Sequence, residues 1–342
     1  MVESFTAKAI EVLNGKKGIT PRFNKLSKEG ILFSNFYASG VRSDKGIVAI
    51  LSGFPAQPNN SIIQYPNKTE KLPFLSKDLN KAGYYSAYYY GGNIDFASMR
   101  SYVENGRYKE IVDMNNFPTS TYNAKWGVHD HIVFKKLLHE VDNAKSPFFF
   151  TMFTLSSHEP FDVPMNTVIK GTDEDLKFLN SIYYTDSCIG NFVDSAKTKP
   201  WWKNTIIVIT ADHGATRPDN SANYAPIRYH IPMLWLGGAI RKDTIVTKVS
   251  SQTDIALTLL NQLNIKPEKR YSYSNNIFNN SFKGFAFFSY TRGLGFITDS
   301  ARVAYDFDES KTKVSEGSQT NDVMIKAKSY LQVVYNDYLM KK

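Results

Sequence analysis

Apolar residues follow two rhythms along this chain. Short runs that are apolar nearly throughout, "ILFSNFYA" (31–38), "YYSAYYY" (84–90), "PFFFTMFTL" (147–155), "TIIVITADHG" (205–214) and "IPMLWLGG" (231–238), have the length and the β-branched and aromatic content of buried strands. Between them, apolar positions recur every three or four residues. This spacing predicts helices over 21–29, behind Thr20-Pro21 as cap and first position, over 47–51 up to Gly53 and Pro55, and over 72–83 with a glycine stop. Further helices are predicted over 128–143, 176–193 and 252–263. Strands without polar alternation are buried on both faces, which a mostly parallel sheet covered by helices provides. The pattern predicts an α/β three-layer sandwich with a mostly parallel central sheet.

After about residue 266 the rhythm changes. "FKGFAFFSYTRGLGFITDSARVAYDF" (282–307) breaks into strand-length pieces joined by Gly- and Asp-containing turns, and 320–339 returns to helical spacing. The expected division is a large α/β domain over 1–265 and a small C-terminal α+β unit over 266–342, with an antiparallel sheet and a closing helix. No internal repeat is present.

Composition narrows the function. Hydrophobic residues make up 42% and charged residues 21%, the balance of a folded globular protein. The net charge of +9 suits an anionic partner, yet the 41 Lys and Arg are dispersed singly and in pairs, which excludes a dedicated nucleic-acid arm. An anionic lipid surface or a phosphate-bearing substrate fits, as does a basic surface with no partner. The single Cys188 rules out an internal disulfide and is read as core. No run reaches the roughly 18–20 apolar residues that span a bilayer. The opening "MVESF" reads as the end of a buried strand, and the chain as the soluble part of a longer protein.

In an open α/β sheet, ligands bind beyond the carboxyl ends of the strands. Glu3, Ser43, His158 and the pair Asp212-His213 all fall at such ends. A carboxylate and an imidazole just past a buried strand suit a divalent cation that takes mixed oxygen and nitrogen donors, or equally a capped turn with a packed histidine. Ser43 opens an apolar helix, where it is either the helix cap or a nucleophile that needs a base or metal to ionise it. His129 and His131 flank Asp130, read as a helix cap. His230 either lines the site or ends a strand.

The segments "MVESF", "SGVRSDKGIVAILSGFPAQP", "FTLSSHEPF" and "TADHG", with the looser "YYTDSCIGNFVD" and "SQTDIALTLL", resemble in order and separation the lipoteichoic acid synthase-like branch of the alkaline phosphatase and sulfatase superfamily. The resemblance covers roughly residues 1–265. It implies an alkaline phosphatase-like fold, a metal set of Glu3, Ser43, Asp212 and His213, and one divalent ion, manganese first, with magnesium, zinc or calcium as alternatives. It implies Ser43 as nucleophile, where the branch usually has threonine, and His158 as a contact to substrate or leaving group. Arg100, in "GGNIDFASMRSY", stands near the branch's substrate-binding Arg, and Arg42 and His230 complete the substrate-binding candidates. "RSDKGIV" lacks the proline and arginine of the formylglycine sulfatases, so Ser43 stays a serine. The expected activity is transfer of a phosphoglycerol-type head group from an anionic lipid, outside the cytoplasmic membrane of a bacterium, with the membrane reached through a segment ahead of Met1. The rival readings are a hydrolase of phosphate or sulfate esters and a non-catalytic binding homologue.

Overall fold

The computed structural model describes residues 1–341; the last residue of the expected C-terminal unit, Lys342, lies outside them. The first part of the chain forms α1 (Pro21–Leu26), β1 (Ile31–Phe33), β2 (Phe36–Tyr37), α2 (Ser43–Ser52), α3 (Pro66–Thr69) and α4 (Leu75–Lys81). There follow β3 (Tyr85–Tyr90), α5 (Met99–Asn105), β4 (Glu110–Val112), α6 (Asp130–Asn143), β5 (Phe148–Phe153) and α7 (Glu174–Lys197). Next come β6 (Ile207–Thr210), β7 (Met233–Leu236), β8 (Thr244–Val246), β9 (Ser250–Ser251) and α8 (Ile255–Gln262). The chain closes with β10 (Phe285–Tyr290), β11 (Gly293–Thr298), β12 (Ala301–Asp306), β13 (Lys311–Gly317) and α9 (Thr320–Met340).

Two half-sheets, β4-β3-β5 and β6-β7-β1-β8, are joined through the first two residues. The Met1 amino group donates to Met152 O and Thr154 N donates to Met1 O, while Val2 N donates to Thr210 O and Asp212 N to Val2 O. These bonds make one eight-position sheet in which β7 alone runs against its neighbours, so the sheet is mixed rather than purely parallel. Beyond the Met1 amino group, β5 and β6 part around an apolar cavity of about 360 Å³.

Both faces of the sheet are covered, as the unbroken apolar runs require. Ala87, Tyr89 and Met152 pack toward Val133, Leu137 and Val141 of α6, whereas Tyr88, Tyr90 and Phe153 join Leu75 and Leu79 of α4 and Tyr102 of α5. Successive strand residues thus serve opposite layers. The run 31–38 is two strands, not one, because the chain changes partners at Ser34-Asn35: β1 lies between β7 and β8, and β2 pairs with β9. Helix α1 stops at Leu26, short of Gly30, and Thr20 makes no capping bond to it. Its first N–H groups are taken instead by Asp186 of α7, which accepts from Arg22 N at 2.8 Å and Phe23 N at 2.7 Å. Cys188 is buried.

The C-terminal strands form an antiparallel meander, β10-β11-β12-β13. Phe287, Leu294, Phe296 and Val303 on one face bury Val323, Ala327 and Leu331 of α9. Ala286, Phe288, Tyr290 and Ile297 on the other face pack against Tyr37 and Tyr229 of the main body. There Ser289 N donates to Ser39 O, four residues ahead of Ser43.

Candidate functional site

Four chain segments converge at the carboxyl edge of the sheet. Met1–Val2 delivers Glu3, β6 delivers Asp212 and His213, the turn after β2 delivers Ser43, and the loop after β5 delivers His158. Ligating atoms of Glu3, Asp212 and His213 all lie within 4.8 Å of one another. Glu3 and Asp212 are 4% and 0% exposed, so the two carboxylates meet in a region of low dielectric.

Each group is oriented by specific bonds. Asp212 Oδ1 accepts from Ser4 N at 2.9 Å and His213 N at 2.8 Å, but Oδ2 is buried with no hydrogen-bond partner. Glu3 N donates to Thr154 Oγ1 at 2.9 Å, and Ser4 Oγ donates to Glu3 Oε1 at 2.6 Å. The Nδ1 of His213 donates to Gly214 O, which leaves Nε2 facing Glu3 and Asp212, at 3.4 Å from each. An unpartnered buried carboxylate oxygen, a second carboxylate and a free imidazole nitrogen form a donor set that fits a divalent cation of borderline character.

Electrostatics agree with that fit. Burial and the neighbouring Glu3 charge push Asp212 up to about 6. Burial works against the imidazolium of His213, yet Asp212 and Glu3 together hold it and push its pKa up to about 10. Burial is the strongest single influence on Glu3 and works to raise it, but the adjacent His213, with His158 and the Ser4 hydroxyl, together outweigh it, and the carboxyl sits below its ordinary value. A proton on His213 therefore holds the two acids together, in the place a cation of higher charge would take.

Ser43 is not the cap of α2. That position belongs to Arg42, which makes no side-chain capping bond, and Ser43 is the first helical residue. Its hydroxyl donates to Glu3 Oε2 at 3.4 Å and also lies against Asp212. The approach is possible because residue 46 is glycine: a Cβ there would stand 1.7 Å from Asp212 O.

The remaining candidates are placed differently. His158 is half-buried, with Nδ1 bonded to Glu159 O and its ring edge-on to Trp126 at 5.6 Å, and its charge acts on Glu3. Arg42 is exposed beside Ser43. Arg100 is held by Asp95 and by Asp113, the latter at 3.1 Å. His230 bonds Ser34 O at 2.7 Å and stacks on Tyr37, so its ring is engaged outside the cluster around Glu3. The His129–His131 pair does not converge: His129 bonds Asn123 and Asp162 O, and His131 bonds the Tyr184 hydroxyl.

Sequence reasoning missed the supports of this site. Asp130 does not cap its own helix; its carboxylate accepts from Leu155 N and Ser156 N and so holds the loop that carries His158. Ser4, Thr154 and Trp126 were equally unmarked. Only their place within "MVESF" and "FTLSSHEPF" signals the first two, and nothing in the local pattern signals Trp126.

Phosphoglycerol transferase I of Xanthomonas campestris pv. campestris is 27% identical over 263 residues, which is 72% of this chain and 38% of that protein. Lipoteichoic acid synthase-like YvgJ of Bacillus subtilis is 22% identical over 295 residues, 78% of this chain and 47% of that protein. The chain thus spans less than half the length of these curated relatives. A solved protein of the alkaline phosphatase superfamily from Vibrio parahaemolyticus superposes with a TM-score of 0.86 at 26% identity, covering 99% of this chain and 86% of that one. The lipoteichoic acid synthase LtaP of Listeria monocytogenes superposes with a TM-score of 0.82 at 20% identity, covering 98% and 91%, a likeness of fold. The Sulfatase family profile matches residues 1–265, and the chain, with its alkaline phosphatase-like fold, belongs to that family.

Proposed function

We propose that this chain is a metal-dependent phosphotransferase acting on a phosphodiester, with Ser43 as nucleophile. The observation that carries this reading is the Ser43 hydroxyl at the head of α2, turned onto the buried cluster of Glu3, Asp212 and His213 rather than onto its own helix. Glu3, Asp212, His213 and Ser43 would hold one divalent ion, manganese first, whose charge stabilises the ionised serine at neutral pH.

The residues then divide the work. Ser43 Oγ releases its proton to solvent and attacks phosphorus; the Oγ–P bond forms as the bond from phosphorus to the departing alcohol breaks, leaving a phosphoserine. His158 donates a proton to the departing alkoxide. The N-terminal amides of α2 and the Arg42 guanidinium face the phosphoryl oxygens, where negative charge gathers. A second alcohol gives its proton to His158 and attacks the phosphoserine; the Oγ–P bond breaks and Ser43 Oγ regains a proton from solvent, which restores both residues, and with water in place of the alcohol the enzyme is a hydrolase. Arg100 and His230 are each engaged by their own partners, Asp95 and Asp113 for the first and Ser34 O and Tyr37 for the second, and take no part in the proposed step.

The donor we assign is an anionic glycerophospholipid at a membrane surface outside the cytoplasm. The names of the relatives and the net charge of +9 support this choice. No helix among the described residues is long and apolar enough to cross a membrane. The test is incubation with Mn²⁺ and a phosphatidylglycerol donor labelled in its head group, beside aryl phosphate and aryl sulfate. Wild-type chain should acquire label on Ser43 and pass it to an added alcohol. Ser43→Ala should lose at least about 10³-fold in turnover, and a Ser43→Ala chain as active as wild type refutes the reading.

A further inference from the structure

We infer that Gln252 is a positioning residue that sets the separation between the Ser43 loop and the Asp212 strand end; this rests on the roles proposed above for those two residues. Gln252 is 0% exposed, and every bond it makes goes to backbone. Its Oε1 accepts from Ser39 N at 2.9 Å. Its Nε2 donates to Ala211 O at 2.9 Å and to Asp212 O at 2.7 Å. One planar amide therefore ties the turn that leads into α2 to the two residues that follow β6.

This arrangement cannot be replaced by ordinary pairing. Ser39 and Asp212 belong to different segments, and on the side of Asp212 the ladder to Val2 uses only Thr210 O and Asp212 N. The carbonyls of residues 211 and 212 face the interior, and Gln252 gives each a hydrogen-bond donor. Buried backbone groups left without partners are costly, so strand end and turn are drawn to the same side chain. The amide itself cannot slide. It stands in a short turn whose entry is closed by the reciprocal bonds of Ser251 and Asp254, directly after β9, which pairs with β2. Ser39 is fixed on its other side as well, where its Oγ accepts from Ala56 N at 2.9 Å.

Amide polarity matters as much as size. A glutamate in this place keeps an acceptor for Ser39 N but turns carboxylate oxygen toward two carbonyls, which pushes the Asp212 segment away from the serine turn. A methionine of similar length leaves all three backbone groups unpartnered. Neither change touches Ser43, Glu3 or His213, so any effect on them is transmitted through position.

The experiment compares wild type, Gln252→Met and Gln252→Glu in the full chain. The readouts are the fraction folded and Tm, Mn²⁺ affinity by electron paramagnetic resonance titration without substrate, and kcat and KM per folded molecule. We expect Mn²⁺ affinity to fall about 10-fold or more and kcat about 10- to 100-fold, as when groups that orient metal ligands are removed, with KM within about twofold. Gln252→Glu keeps size and the Ser39 acceptor, so it remains informative if the methionine variant does not fold. A lowered Tm with unchanged Mn²⁺ affinity and kcat overturns the inference and leaves Gln252 a stabilising residue only. A wild-type chain that neither binds Mn²⁺ nor depends on Ser43 overturns the proposed function, and this inference with it.

Discussion

His213 shows how one side chain reports the state of the site. Without a cation its pKa is pushed up to about 10, so at neutral pH the ring carries a proton between two acids. A divalent ion held here as proposed would have to displace that proton from Nε2, whereas Asp212, pushed up only to about 6, is already ionised above that pH. Mn²⁺ affinity should therefore rise about tenfold per pH unit from pH 7, flattening toward the His213 pKa, with about one proton released on binding. Calorimetry in buffers of different ionisation enthalpy measures that release, and an affinity that does not change with pH contradicts the assignment. The same shift has a stability consequence for the metal-free chain. Because the folded pKa lies above the ordinary value of 6.5, the contribution of His213 is fully present below that value and is lost as pH rises through about 10. Ser43, by contrast, carried two meanings in the sequence. A serine at a helix entrance is most simply a cap, and only the backbone geometry of Arg42 and Ser43 shows the cap displaced by one residue and the hydroxyl released to face Glu3.

At the scale of elements, α2 is defined by what it touches. Its apolar residues Ile47, Val48, Ile50 and Leu51 are buried, which the sequence pattern states directly. The contact that matters for the site is made where a side chain is missing, at Gly46 against Asp212 O. Gly46→Ala should push the helix off the strand end. We expect a loss of about 1–3 kcal/mol, the usual result of forcing a methyl group into a packed interior, together with a fall in turnover larger than the Tm change explains. Thermal melts and turnover on one preparation check both, and an alanine variant with wild-type values for each shows that close packing of α2 on residues 211–212 is not needed. The lesson of α1 is similar. Thr20-Pro21 marks where the helix starts, but its capping groups come from Asp186, 164 residues from Arg22, through a bond no local motif encodes.

Across the whole molecule, the C-terminal sheet braces the turn that leads to Ser43. Phe288 is fully buried and stacks on Tyr229 at 3.8 Å, and Ser289 N reaches Ser39 O on the turn that leads to Ser43. Phe288→Ala should cost about 3–5 kcal/mol, as for other buried aromatic rings, and should weaken protection of the Ser289 amide against hydrogen exchange. Urea unfolding with exchange measured under native conditions tests this. A variant with wild-type stability and exchange would show that the sheet is held elsewhere.

The layered architecture and the roster of strand-end residues were written locally. Unbroken apolar runs cannot be solvated on either face, so the chain alone determined helices on both sides of a largely parallel sheet, and the residues just past those runs that lie parallel collect at one edge, β7 excepted. Tertiary structure alone decided the reversed direction of β7, the joining of two half-sheets through Met1–Val2, the orientation of the Ser43 hydroxyl, and the orphaned oxygen of Asp212. It also decided that Gln252, Asp130 and Asp186 spend their side chains on distant backbone. The physical reason is range: periodicity reflects burial, which each residue expresses at its own position, whereas a hydrogen bond between segments up to about two hundred residues apart depends on a partner whose place is set only when the whole core has closed.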